Sequence, residues 1–140
     1  MTKRTIDDYH QLSGKHLDKF RDFEKKFLIT GAAGWLGKAT LELLKNISKD
    51  FPNNITCFGS TEKDIELLNG TKVKQNKLSD LESYPKQKAD YLINFAFLTK
   101  EKSTNLSEGE FLETNRFLSN FISQQALRIE VPNVITISSG

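Results

Sequence analysis

A glycine-rich turn between an apolar segment and a helical pattern constrains this chain more than any other feature. It lies in residues 27–44, FLITGAAGWLGKATLELL, and contains Gly31, Gly34 and Gly37. The segment FLIT is typical of a short buried strand, and WLGKATLELLKNI favours a helix. A helix that begins directly after such a turn presents unpaired backbone N–H groups, which bind phosphate. The segment therefore predicts a strand, loop and helix that hold a phosphorylated ligand.

Strand and helix patterns alternate along the rest of the chain. After FLIT, four further segments favour strands: NITCFG, TKVKQ, DYLINFAFL and NVITIS. STEKDIELL favours a short helix. Ser79 with Glu82 and Ser107 with Glu110 have the spacing of capping boxes, which mark helix starts. We expect an α/β fold, a Rossmann-type doubly wound parallel sheet of order 3-2-1-4-5, with its ligand at the carboxyl ends of strands one and four.

Length and composition limit the remaining possibilities. The 140 residues allow one domain, predicted over 26–140, preceded by a helical arm over 1–25. The 20 Lys and Arg residues nearly balance 18 Asp and Glu residues, which argues against a nucleic-acid partner. A single cysteine, Cys57, provides neither a disulfide nor a metal cluster. No apolar segment approaches the roughly 18 residues of a membrane span, so we expect a cytoplasmic protein with no membrane partner.

Two kinds of phosphate-binding loop could use these glycines. A mononucleotide loop needs a glycine five positions before Gly37 and a hydroxyl residue after Lys38. The sequence has Ala32 and Ala39 at those positions, so that interpretation fails twice. The dinucleotide fingerprint fits better, although its usual G-x-G-x-x-G spacing is replaced by Thr30-Gly31-x-x-Gly34-x-x-Gly37.

This loop resembles that of the short-chain dehydrogenase/reductase superfamily, T-G-x-x-G-x-x-G. The ending Trp35-Leu36-Gly37 is similar to that of its extended branch, the NAD(P)-dependent nucleotide-sugar epimerases and dehydratases. The resemblance covers residues 26–140. It implies that Gly31 allows a tight exit from the strand, that Gly34 lets the backbone approach a pyrophosphate, and that Gly37 lets the helix pack close to the sheet.

The resemblance extends to the later strands. Asn94-Phe95-Ala96-Phe97 ends strand four, where the superfamily contacts the cofactor ribose, and Ser138 and Ser139 end strand five, where its catalytic serine or threonine lies. The implied cofactor contacts are Thr30, Gly31, Ala33, Gly34, Trp35, Leu36, Gly37, Leu78, Asn94, Phe95, Ala96, Phe97 and Asn115. Phe97 and Lys77 depart from the pattern, which usually has a small residue and an aspartate there.

The end of strand two indicates which dinucleotide is preferred. NAD-selective domains usually carry an acid there, which accepts a hydrogen bond from the ribose 2′-hydroxyl. This sequence has Gly59, Ser60 and Thr61, with Lys63 close by. Small and hydroxyl residues leave room for a 2′-phosphate, and a lysine gives it a charge-assisted contact. These residues favour NADP over NAD as cofactor.

The family's catalytic Tyr-x-x-x-Lys follows strand five, and no such pair follows it in this chain. The one example, Tyr84 to Lys88, precedes strand four and contains Pro85, which predicts a solvated loop. We therefore expect the cofactor-binding, N-terminal portion of a nucleotide-sugar enzyme, which binds cofactor without turnover. A catalytically silent NADP-binding module that regulates a protein partner is the alternative. The uncharged fifth strand, at the sheet edge, predicts self-association.

Overall fold

A computed structural model of the chain describes residues 24–137. Residues 1–23 of the predicted arm, together with Ser138 and Ser139, lie outside the described residues. Residues 24–137 contain six strands: β1 Phe27–Thr30, β2 Ile55–Gly59, β3 Lys63–Glu66, β4 Lys72–Lys77, β5 Tyr91–Asn94 and β6 Asn133–Thr136. The same residues contain two α-helices, α1 Trp35–Ile47 and α2 Glu108–Ile129, and two short 3-10 helices, Leu78–Ser83 and Glu101–Ser103.

The strands form one sheet in the order β3-β4-β2-β1-β5-β6. The five parallel strands keep the predicted order, and the Rossmann-type α/β fold is confirmed. The order differs in one detail, because β3 adds an antiparallel strand at the edge beside β4. β1 lies at the centre, with β2 on one side and β5 on the other. In a sheet of this order a ligand is expected at the carboxyl ends of these strands.

The helix predicted for STEKDIELL is wrong, because this segment contains β3. Ile65 is buried opposite Val73 of β4, while the residues on either side of it are exposed. Asp64 lies opposite Lys74, and such opposite-charge pairs stabilise neighbouring strands. A nine-residue segment forms a weak isolated helix, so pairing with β4 determines its structure.

The helix-start predictions had mixed outcomes. At α2, the Ser107 hydroxyl accepts from Glu110 N at 3.2 Å and the Glu110 carboxylate accepts from Ser107 N at 2.8 Å, which confirms that capping box. The predicted Ser79 cap is wrong, since the 3-10 helix begins after Lys77, whose N–H donates to Asp80.

No helix in residues 24–137 has the length and apolar character needed to cross a bilayer.

Two apolar clusters cover the two faces of the sheet. One, the α1 cluster, packs α1 on β1, β2, β3 and β4, with Ile29, Leu41 and Cys57 fully buried. The other, the α2 cluster, packs α2 and the first 3-10 helix on the opposite face, around Leu28 and Leu92. The strand β6 differs, because all four of its residues are exposed.

We expect the Cys57 thiol to be unreactive in the native protein. Its side chain has no exposed surface, and burial raises the pKa of the thiol from 9.0 to about 12. Only the thiolate is nucleophilic, so labelling at pH 8 must wait for the core to open. Labelling by a thiol reagent should be slow in buffer and rapid in denaturant. Rapid labelling of the folded chain would contradict this placement.

Candidate functional site

Gly31 and Gly37 are required by the fold itself. Gly31 follows β1 with φ of +73°, and a Cβ there would lie 2.6 Å from the carbonyl carbon of Phe95. A Cβ on Gly37 would lie 2.5 Å from the Cα of Ala32. The first glycine thus lets the loop cross the chain after β5, and the second lets α1 pack on the loop. Gly31 thus has the structural role expected from the sequence, whereas the close contact at Gly37 is with the loop rather than with the sheet. The predicted cofactor contacts of both glycines stay predictions.

Gly34 is different, because nothing in the described structure restricts it to glycine. Its φ and ψ, −73° and 172°, suit any residue, and a Cβ would make only ordinary contact, 3.4 Å from Gly31 O. The residue is exposed at the N-cap of α1. The space in front of it is therefore open to a ligand, which can approach the backbone only because a side chain is missing.

The N-terminus of α1 is electrostatically prepared for an anion. No side chain caps this helix, and its first turn contains no acidic residue. The N–H groups of a first turn have no partner within the helix and carry partial positive charge. The N-terminus of α2 provides a contrast, since Ser107 caps it and its first turn contains Glu108 and Glu110. Only α1, of these two helices, leaves its N-terminus open for a phosphate.

The carboxyl ends of β1 and β5 are joined beside this loop. Thr30 Oγ1 donates a 2.6 Å hydrogen bond to Asn94 Oδ1, and both residues are buried. Ala96 N donates to the same oxygen at 2.9 Å. Two donors thus fix the orientation of the Asn94 amide and hold the Phe95–Ala96 peptide against Gly31. The structure therefore brings together the glycine loop and the predicted strand-four residues.

Asn115 supports the segment that follows β5. Its Oδ1 accepts from Leu98 N at 2.6 Å, and its Nδ2 donates to Leu98 O at 3.0 Å. This pair of hydrogen bonds ties α2 to the loop that contains Phe97, whose side chain is 37% exposed. The described contacts of Asn115 are structural, and its predicted cofactor contact stays a prediction.

Gly59, the last residue of β2, belongs to the face of the sheet that α1 covers, because Cys57 two residues earlier packs in the α1 cluster. Gly59 is buried, whereas Ser60, Thr61 and Lys63 are exposed. Lys63 lies on β3 rather than on the predicted helix. Side chains alternate along a strand, so Lys63 projects to the same face as Ile65, which packs in the α1 cluster. The lysine thus stays on the face that carries the open end of α1.

The nearest acid to the tip of β2 already has a partner. Glu62 Oε1 lies 3.1 Å from Lys74 Nζ. Asp64 lies opposite Lys74 across the strand pair and, by alternation, on the other face from Lys63. Neither carboxylate belongs to β2, which ends at Gly59.

The Tyr84 to Lys88 segment is a loop, as Pro85 predicts. Tyr84 ends the first 3-10 helix, and Gln87 has a positive φ of 57°. Burial raises the pKa of the Tyr84 hydroxyl, and the ring packs against Phe58 with centroids 6.5 Å apart. No helical turn aligns Tyr84 with Lys88, so this pair lacks the arrangement of a catalytic tyrosine and lysine.

A match to a protein-family model identifies the family of this chain. The model of the NAD dependent epimerase/dehydratase family matches residues 27–140. The chain belongs to this family. The resemblance noted from the glycine loop is thereby confirmed. No curated protein matches the sequence significantly.

Solved structures of epimerases and dehydrogenases share the fold at low sequence identity. Epimerase Mth375 from Methanothermobacter thermautotrophicus has a TM-score of 0.65 and 20% identity, over 93% of this chain and 40% of its own. MoeE5 in complex with UDP-glucuronic acid and NAD has a TM-score of 0.58 and 19% identity, over 81% and 36%. L-threonine dehydrogenase from Clostridium difficile has a TM-score of 0.56 and 20% identity, over 82% and 36%. The chain thus spans 36–40% of the length of these structures.

The remaining predicted positions of the epimerase/dehydratase pattern follow the carboxyl ends of β1 and β4. Trp35 and Leu36 begin α1, and the Trp35 side chain is 74% exposed. Ala33 packs partly on the α1 cluster, and Leu78, directly after β4, packs partly on the α2 cluster.

Gln75 of β4 was not predicted from the sequence as a residue of this site. Its only signal was a polar residue at an inward position of KVKQNK, two residues after buried Val73.

Proposed function

We propose that the chain is the dinucleotide-binding portion of an NAD(P)-dependent enzyme that acts on a nucleotide sugar, as an epimerase, dehydratase or reductase. The carrying observation is the open N-terminus of α1 behind Gly34, where neither a side chain nor an acid competes with a phosphate. The complex of MoeE5 with UDP-glucuronic acid and NAD supports the substrate class by analogy.

Each part of the site has a distinct role in this proposal. The first-turn N–H groups of α1 bind the pyrophosphate. The Phe95–Ala96 peptide, fixed by Asn94, forms the wall beside the adjacent ribose. When bound, the cofactor supplies a nicotinamide ring that accepts or returns a hydride. Ser139, or Ser138, orients the substrate hydroxyl, and the chain alone binds cofactor without turnover.

The adenosine end of the site favours NADP. The tip of β2 carries no acid, Glu62 is paired with Lys74, and Lys63 projects from the α1 face. A 2′-phosphate would gain a charge-assisted contact with Lys63, whereas a 2′-hydroxyl would find no carboxylate acceptor.

We expect the chain to bind NADPH about tenfold more tightly than NADH, a difference of about 1.4 kcal/mol. Calorimetric titration with both nucleotides measures it. Lys63→Ala should remove most of the difference. Lys72→Ala should not, because Lys72 is exposed on the opposite face of the sheet, at the other end of the β3–β4 pair. Absence of binding to either nucleotide would contradict the proposed function. Equal affinities, or tighter binding of NADH, would contradict the NADP preference alone.

A further inference from the structure

Gln75 lies against the tip of β2 in a way that packing alone does not explain. Its side chain is 2% exposed, and its Nε2 donates a 2.7 Å hydrogen bond to the carbonyl oxygen of Thr61. Its Oε1 is buried and has no hydrogen-bond partner among the described residues. A buried acceptor without a partner destabilises a fold, so an apolar residue would pack here at lower cost.

Gln75 stands between Gly59 and Lys63 on one face of the sheet. It is paired directly with Lys63 of β3 and with Cys57 of β2, two residues before Gly59. Side chains at 57, 59, 63, 65, 73 and 75 share this face by alternation, and Cys57, Ile65 and Val73 belong to the α1 cluster. Gly59, Gln75 and Lys63 thus follow one another across β2, β4 and β3. They lead from the strand end where the adenosine ribose would lie to the edge of the sheet.

The carboxamide of Gln75 also limits which side chain residue 59 can carry. A Cβ at this position would overlap the end of the Gln75 side chain, so the carboxamide would have to move and give up its hydrogen bond to the Thr61 carbonyl. The glutamine therefore occupies the space that a side chain at the tip of β2 would enter. In NAD-selective domains this strand end carries the acid that binds the ribose hydroxyls.

We propose that Gln75 is a positioning residue that sets the cofactor preference of this site. It excludes an acidic side chain from position 59, and by holding the Thr61 carbonyl it directs the Ser60–Thr61 turn and Lys63 toward a 2′-phosphate. Gln75 is buried and acts through these neighbours without touching the nucleotide. The inference rests on the proposed function and deepens it.

The replacement Gln75→Leu tests the hydrogen bond to Thr61. Leucine keeps most of the volume and removes the unpaired acceptor, so the melting temperature should change little. The affinity ratio of NADPH to NADH should fall from about tenfold to near one. Asn76→Leu is the matched control, because Asn76 Nδ2 donates to Cys57 O at 3.2 Å from the opposite face and should leave the ratio unchanged. A ratio that persists in Gln75→Leu overturns this inference alone. Failure of the unsubstituted chain to bind either nucleotide overturns the proposed function as well.

A second pair of variants tests the exclusion of an acid. Gly59→Asp alone should lower the melting temperature, because its Cβ overlaps the Gln75 carboxamide. Gly59→Asp combined with Gln75→Ala should recover the melting temperature and bind NADH more tightly than NADPH. A Gly59→Asp chain that prefers NADH at unchanged melting temperature, with Gln75 in place, would overturn the proposal.

Discussion

Gly34→Val should abolish dinucleotide binding while the chain stays folded. The backbone at Gly34 has extended dihedral angles that valine favours, and its Cβ would meet no described atom closer than 3.4 Å. Its two methyl groups would instead fill the space in front of the α1 N-terminus. Two lost hydrogen bonds to a charged pyrophosphate, at about 1.5–3 kcal/mol each, correspond to at least about a hundredfold loss of affinity.

The measurement combines calorimetric titration of NADPH with circular dichroism and thermal unfolding. The two other loop glycines are the matched controls, because their hydrogen atoms face the protein. Gly31→Val would force a branched side chain into a positive φ against Phe95, and Gly37→Val would collide with Ala32. Both should lower the free energy of unfolding by about 3 kcal/mol or more. If Gly34→Val retained its affinity in a folded chain, the loop would be a structural turn only.

The first strand, loop and helix could be predicted because their signals are local. The glycines mark the loop, and α1 occupies Trp35–Ile47, the segment expected from the sequence. Likewise, the capping box at Ser107 was recognisable from the four-residue motif Ser-x-x-Glu. Features of this kind depend on residues close in sequence, which is why pattern and propensity are sufficient for them.

The adenosine end of the site could not be predicted because it depends on strand register. Whether STEKDIELL forms a helix or a strand is decided by pairing with residues of β4 that lie six to twelve positions further along the chain. The contact of Gln75 with Gly59 requires knowing that β4 lies beside β2 and which residues are paired. Lys63 was therefore predicted on a helix after β2, whereas it lies on the strand β3.

The two edges of the sheet differ in how they resist association. The edge strand β3 carries Lys63, Asp64 and Glu66, and charged residues are a common protection of exposed edges. The opposite edge, β6, carries no charge, and all four of its residues are exposed. Val134 is 49% and Ile135 45% exposed, on the two faces of the strand. β6 pairs with β5, and no strand among the described residues covers its outer side.

We expect the chain to self-associate through β6. An uncharged, β-branched edge strand offers backbone donors and acceptors to a second copy, and its exposed side chains add apolar burial. Thr136→Lys should shift the chain toward monomer, because two copies paired at this edge would bring the new charges together. Light scattering at tens of micromolar, roughly the range where exposed edges associate, measures the change.

A matched lysine elsewhere separates edge pairing from a general effect of charge. Ser119→Lys adds the same charge at an exposed position of α2 instead of on the strand, and should leave association unchanged. If both variants reduced association equally, net charge rather than β6 would control it. A monomeric unsubstituted chain at these concentrations would contradict the prediction, because an edge of this composition has no charge of its own to oppose pairing.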